Sequence, residues 1–125
     1  MDLNEITREI IGAAIEVHRA MGPGLLESAY EACLACELRT RGLKVEQQRP
    51  VALVYHEIKL ECGCRMDMKV EDQVIVEVKS VECVLPVHKA QLLSHVRLAN
   101  LKVGLLINFN LELLKSGITR VVNNL

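Results

Sequence analysis

Asp67 and, after nine intervening residues, Glu77-Val78-Lys79 form the most informative chemical set in this chain. Carboxylates are hard oxygen ligands that suit Mg²⁺ or Mn²⁺, and such an ion polarises a phosphoryl oxygen and lowers the pKa of an attacking water. A lysine beside it can orient that water or offset charge in the transition state. The surrounding residues predict how the set is brought together. Side chains alternate along a strand, so Met66, Met68 and Val70 share one face, and Val74, Val76 and Val78 share another. The two sets meet one core only if Val70 pairs with Val74, leaving Glu71-Asp72-Gln73 as a hairpin loop of permitted length. That register sets Asp67 opposite Glu77 and Arg65 opposite Lys79. Two carboxylates directly across an antiparallel pair repel, and a divalent cation bridging them is the compensation. The competing reading, a charged strand face in water, stays open at this level.

Further polar residues fall at helical spacing. Glu27, Tyr30, Leu34 and Leu38 follow one another at steps of three and four, hence on one helix face. A carboxylate on an apolar, inward face needs a partner. Glu27 is therefore either a third acid of the site or a favourable charge at a helix start. Tyr30 either contacts substrate or fills the core. His88, Gln91 and His95 share a face of a later helix, as a second layer of the site or as a polar face in water. His18 either reaches the site mouth or lies at a helix C-terminus for structural reasons. Of the five cysteines, Cys33-x-x-Cys36 falls inside a helix and Cys62-x-Cys64 flanks a glycine. That arrangement is unlike the paired turns of a zinc ribbon, and an odd number without an export signal argues against a disulfide framework.

The elements that must position these residues are legible from periodicity. Leu3, Ile6, Ile10, Ala13 or Ala14, and Val17 predict a first helix, with Asp2 and Glu5 forming a capping box. Gly22-Pro23-Gly24 breaks the chain, and a second helix over residues 25–40, apolar on most sides, ends at Gly42. From Val45 the period changes to strands, with turns expected at His56-Glu57 and near Gly63. Strands follow at 65–70 and 74–80, then a helix at 87–100 behind Pro86, and strands at 103–109 and 118–122. The order predicts an α/β protein with a central mixed sheet flanked by helices. With 125 residues, half of them hydrophobic, the chain is expected to form a single domain over residues 1–125. Aromatic residues are only 2%, so the core must be aliphatic. No apolar run approaches the ~18 residues that span a bilayer, and a soluble cytoplasmic protein is expected. A net charge of −1 argues against tight nonspecific nucleic-acid binding by this chain alone.

The pattern of Asp67 with Glu77-x-Lys79 resembles the signature of the PD-(D/E)XK nuclease superfamily, whose restriction-endonuclease-like core is a mixed sheet with helices. Gly24-Leu25-Leu26-Glu27-Ser28-Ala29-Tyr30 resembles the motif of the GxxExxY family within it. So do Val17-His18-Arg19, Gly22-Pro23-Gly24, Arg65, Leu85-Pro86-Val87-His88 with Gln91, and Gly104-Leu105-Leu106-Ile107-Asn108-Phe109, so that the resemblance spans residues 6–122. It implies Asp67 and Glu77 as metal ligands joined by Glu27, Lys79 as catalytic, and Gln91 as a catalytic positioning group. It implies Mg²⁺ or Mn²⁺ as cofactor and nucleic acid, DNA first, as substrate. Tyr30, His88, His95 and Arg65 are the expected substrate contacts. His95 stands where related exonucleases carry tyrosine, a departure from the pattern. The function expected is metal-dependent phosphodiester hydrolysis, with a possible homodimer to grip a duplex. The alternative is an inactive nuclease fold that binds nucleic acid or regulates a partner. A third reading is a small interaction domain whose acidic face is only solvated. Side chains 67 and 77 on opposite sides of the sheet would remove the nuclease reading.

Overall fold

The computed structural model describes residues 1–124, apart from the side chains of residues 61–63. Helix α1 (Leu3–Met21) starts on the expected capping box: Asp2 Oδ1 accepts from Glu5 N at 2.9 Å, and the Glu5 carboxylate accepts from Asp2 N. The chain turns at Gly22 and Gly24, whose φ values of 69° and 101° favour glycine. Helix α2 (Glu27–Thr40) follows. It is less buried than its sequence predicts. Tyr30, Leu34, Ala35 and Leu38 face inward, whereas Cys36 is exposed and Cys33 half-buried. Its alanines and cysteines are small enough to stand in water, and hydropathy alone misreads them.

Strands β1 (Val45–Tyr55), β2 (Ile58–Val70) and β3 (Val74–Lys79) form an antiparallel meander. The turn expected at His56-Glu57 is present, with Tyr55 paired to Ile58. The turn expected near Gly63 is not: β2 is one strand. The extra residues of β2 are absorbed by a register shift against β1 between Pro50 and Ala52, which bends a strand without reversing it. Helix α3 (Pro86–Leu98) crosses over to β4 (Val103–Asn108), which lies parallel to β3. A 3₁₀ turn at Leu114–Gly117 leads into β5 (Ile118–Val122), antiparallel to β4. The result is a mixed five-stranded sheet in the order β1-β2-β3-β4-β5, the predicted α/β class. Among the described residues no helix is long and apolar enough to cross a membrane.

Each face of the sheet buries a separate apolar layer. Met68, Val70, Val74, Val76, Val78, Leu105 and Ile107 pack beneath α1 and α2. Ile75, Leu106, Val51 and Met66 pack beneath Leu92 and Val96 of α3. Met66 therefore departs from the sequence reading, which set it with Met68 and Val70. The twist between them occurs where Gln48, across from this point on β1, takes φ 52°. Two glycines set close approaches. A Cβ on Gly104 would lie 2.7 Å from Val96 and 2.9 Å from Leu92, so α3 rests directly on β4. A Cβ on Gly117 would lie 2.3 Å from the Asn108 carbonyl oxygen, which cannot rotate away.

Gly117→Ala is therefore expected to destabilise the fold by about 2–3 kcal/mol, on the scale of overpacking a rigid core. In thermal unfolding this is a drop of roughly 10 °C. Gly104→Ala meets the side chains of Val96 and Leu92 rather than backbone and should cost less. Equal effects would show that backbone contact at Asn108 is not the constraint.

Candidate active site

The hairpin register is the one the sequence predicts, with Val70 paired to Val74, Lys69 to Ile75 and Met68 to Val76. Glu71 and Asp72 adopt φ 53° and 55° in the connecting turn, and Gln73 N closes it on Val70 O at 3.0 Å. The ladder then stops one pair before Asp67 and Glu77. In place of a backbone acceptor, Asp67 Oδ2 takes the Val78 N–H at 2.7 Å. Strand β2 stays with β1 beyond this point, Met66 pairing with Arg49 and Arg65 with Pro50. Arg65 is thus not opposite Lys79, as the extended register predicts. The two strands part at Asp67, and the fork between them is a cleft.

The cleft has a volume of about 260 Å³ and is lined by Cys64, Arg65, Asp67, Glu77, Lys79, His88, Gln91, Leu92 and His95. The parity of β3 explains its floor. Val74, Val76 and Val78 face α1 and α2, so Ile75, Glu77 and Lys79 face α3. Residues 67 and 77 lie on the same side and within hydrogen-bonding reach of each other. Burial, followed by the Glu77 charge, pushes the Asp67 carboxyl up to about 7, against the opposing pull of the Val78 N–H. Glu77 is 7% exposed and is held by His95, whose Nδ1 lies 2.8 Å from Glu77 Oε1. Lys79 forms no salt bridge among the described residues, and its side chain lines the cleft opposite α3.

Helix α3 supplies the roof. His88 Nδ1 accepts from Leu85 N at 3.0 Å. That bond places the proton of neutral His88 on Nε2. Gln91 is exposed one turn on, and His95 follows with its ring on Glu77. His95 therefore touches an acid of the site, rather than standing free as a substrate contact. Arg65 lies at the mouth and donates from Nη1 to Gln48 O at 2.9 Å.

The residues from α2 have other positions. Glu27 is outside the cleft, with Oε2 3.4 Å from Ser80 N, so it braces the segment after Lys79 instead of joining the two acids. Tyr30 is fully buried and has no surface to offer a substrate. Its hydroxyl donates to Gly22 O at 2.5 Å and accepts from Leu25 N at 3.1 Å. Its ring stacks on Phe109 at 4.6 Å. His18 is structural too, with Nε2 donating to Leu111 O at 2.6 Å. Cys33 and Cys36 line a separate groove between α1 and α2, and these two, with Cys64 and Cys83, form no disulfide among the described residues. The Cys62 half of the thiolate reading lies outside the described residues.

Three contributors were not read from the sequence. Glu31, one turn beyond Glu27, adds negative potential at Asp67. Gln47 and Gln48 each donate to its carboxylate at 2.8 Å. The i, i+4 spacing of Glu27 and Glu31 was the available signal. Buried Asn108 clamps the segment after β3, exchanging both amide bonds with the Val81 backbone. Ser80 Oγ ties that segment to Leu25 O at 2.6 Å. Neither contact has a local sequence signature.

Among the described residues no three of His, Cys, Asp and Glu gather around one point as a ready cation cage. The donors that do converge are two carboxyls, one of them pushed towards protonation by burial and then by the charge of the other. Mg²⁺ binds through one or two carboxylates and fills its shell with water and substrate phosphate. Asp67 and Glu77 fit that need without Glu27.

The elevated Asp67 pKa has a consequence for stability. Between about pH 4, where the unfolded Asp releases its proton, and about pH 7, the folded chain holds more protons than the unfolded one. Stability from this group therefore falls as pH rises across that window. Asp67→Asn keeps an acceptor for Val78 N and removes the repulsion. It is expected to raise the metal-free Tm at pH 7 by roughly 4 °C, from ~1 kcal/mol, and to flatten the pH dependence. A lower Tm for this variant would mean that the two acids do not oppose each other.

Comparison with protein-family models gives a match over residues 4–121 to the PD-(D/E)XK nuclease superfamily. Comparison with curated proteins and with solved structures gives no match. The match covers nearly all of the chain, including both strands of the fork and the helix above them. The protein belongs to the PD-(D/E)XK nuclease superfamily.

Proposed function

We propose that this chain is a metal-dependent nuclease that hydrolyses phosphodiester bonds in DNA, and that within its superfamily it is a GxxExxY protein. The observation that carries the reading is the convergence of Asp67, Glu77 and Lys79 in one cleft at the point where β2 and β3 separate. Asp67 and Glu77 would hold Mg²⁺ or Mn²⁺, which supplies a polarised phosphoryl oxygen and an acidified water when bound. The chain's own groups do the rest. His95 fixes the orientation of Glu77. Lys79 places a positive charge beside the two acids, where charge develops on a phosphoryl group in flight. Gln91 projects from α3 over the same cleft, in position to orient a water. His88 presents Nε2–H, and Arg65 a guanidinium, at the rim where a phosphate backbone would pass. The Glu27 and Tyr30 positions act at one remove: Glu27 accepts from Ser80 N, and Tyr30 holds Leu25, whose carbonyl accepts from Ser80 Oγ in the segment that follows Lys79.

One observation favours a second reading, a nuclease fold that binds nucleic acid without turnover. Glu27 is committed to Ser80 N, which leaves two acids in the cleft, and the net charge is −1. Calorimetric titration with Mn²⁺ separates the two readings. The active reading expects binding that Asp67→Ala abolishes.

Incubation with Mn²⁺ and single-stranded or duplex DNA should give cleavage that Lys79→Ala lowers by at least ~10²-fold while metal binding persists. Cleavage unchanged in Lys79→Ala would not come from this site. His95→Ala should weaken metal binding by about 10–100-fold, as expected for loss of a ligand's hydrogen-bond partner, with partial recovery in His95→Gln. Unchanged Mn²⁺ affinity in His95→Ala would leave His95 no role in holding Glu77.

A further inference from the structure

The outer half of the β1–β2 hairpin is an apolar arm that no described residue covers. Val54, Tyr55, Ile58 and Leu60 are 57%, 66%, 54% and 53% exposed. Leu53 pairs with Leu60 and Tyr55 with Ile58. Leu53, Tyr55, Ile58 and Leu60 share the face that carries Val51 into the layer beneath α3, and Val54, paired with Lys59, stands on the opposite face. Strand β1 is also an edge of the sheet. Its inner half is blunted against further pairing by Gln48, at φ 52°, and by Pro50. Its outer half, Ala52-Leu53-Val54-Tyr55, carries no charge, proline or glycine. The opposite edge, β5, has only five residues and includes exposed Arg120.

We infer that the arm is the interface of a twofold homodimer, in which β1 pairs antiparallel with β1 of a second copy about Leu53. The segment is complementary to itself in this register. Leu53 faces its own copy, Ala52 faces Val54, and Val51 faces Tyr55, so apolar meets apolar throughout. Beyond them Arg49 faces Glu57 of the second copy. Within one chain Arg49 bonds Glu46 through Nε, and Glu57 forms no ion pair among the described residues. The register lays each hairpin tip beside the other copy's Val51, at the rim of the layer under α3. The pairing sets the two Leu53 side chains together and each Tyr55 beside the other copy's Val51 on the α3 side of the sheet, with Val54 beside Ala52 on the other side. Ile58 and Leu60, one strand behind, extend the apolar band on either side of the seam.

Pairing of this kind continues the sheet, and the twofold axis stands perpendicular to it. Both α3 helices and both clefts then open on the same side. If the nuclease reading holds, the dimer presents two sites to one nucleic-acid molecule; the association itself does not depend on that reading.

Sedimentation velocity of the full chain at micromolar concentration tests the inference. The wild type is expected at twice the 14.0 kDa chain mass. Val54→Lys, exposed in a single copy, should sediment as a monomer with unchanged circular dichroism and Tm. Glu57→Arg should weaken association at least tenfold, and Arg49→Glu with Glu57→Arg should restore it. A wild-type chain that stays at monomer mass overturns the inference. So does a dimer that persists in Val54→Lys, since the copies would then meet elsewhere. A monomer whose Tyr55→Ala variant loses affinity for a labelled DNA oligonucleotide also overturns it, and assigns the arm to nucleic acid.

Discussion

The site depends on two carboxyls being held close together in a partly dry fork. Water would relieve their repulsion, and free strands would separate to avoid it. Neither occurs, because both strands are fixed from outside the fork. Strand β3 is buried along its length between the two apolar layers, and β2 is bound to β1 beyond the point of separation. Asp67 is further tied by the Val78 N–H and Glu77 by His95. Burial of the surrounding aliphatic surface supplies the free energy that holds this arrangement. Local destabilisation concentrated at a functional cleft in an otherwise well-packed fold is a familiar division of roles.

The core of this arrangement was legible in the sequence because its signals are local and periodic. Two runs of alternating apolar residues around a polar loop admit one register, and that register brings Asp67 to Glu77. The same logic failed just beyond Met68. Period-two reasoning assumes an uninterrupted pleat, and the conformation of Gln48 on the neighbouring strand breaks it. Met66 consequently joins the other layer and Arg65 turns to Pro50 instead of Lys79. The turn expected near Gly63 failed for a related reason. A glycine among polar residues signals a bend, but pairing with β1 decides whether the bend is a reversal or a bulge.

Tyr30 and Glu27 illustrate a different limit. Both were placed by chemical type, as an aromatic that could contact substrate and an acid that could bind a cation. Both instead serve the backbone around Gly22–Leu25 and Ser80. Helical spacing gives the face on which a residue lies; it does not give the distance from that face to a cleft formed by other strands. Their partners are 8 and 53 positions away in sequence. Glu31, which does add to the electrostatics at Asp67, is distinguished from Glu27 only by one helical turn and by two glutamines on β1.

The contact of Gly104 with Leu92 and Val96 bears on more than packing. These two side chains lie on the same short helix as Gln91 and His95, so the missing methyl on β4 sets the height at which that helix rides above the floor of the cleft. Clearance within the cleft is thereby governed from a strand that contributes no side chain to its lining. Any larger residue at that one distant position would lift the helix and leave every chemical group of the cleft in place.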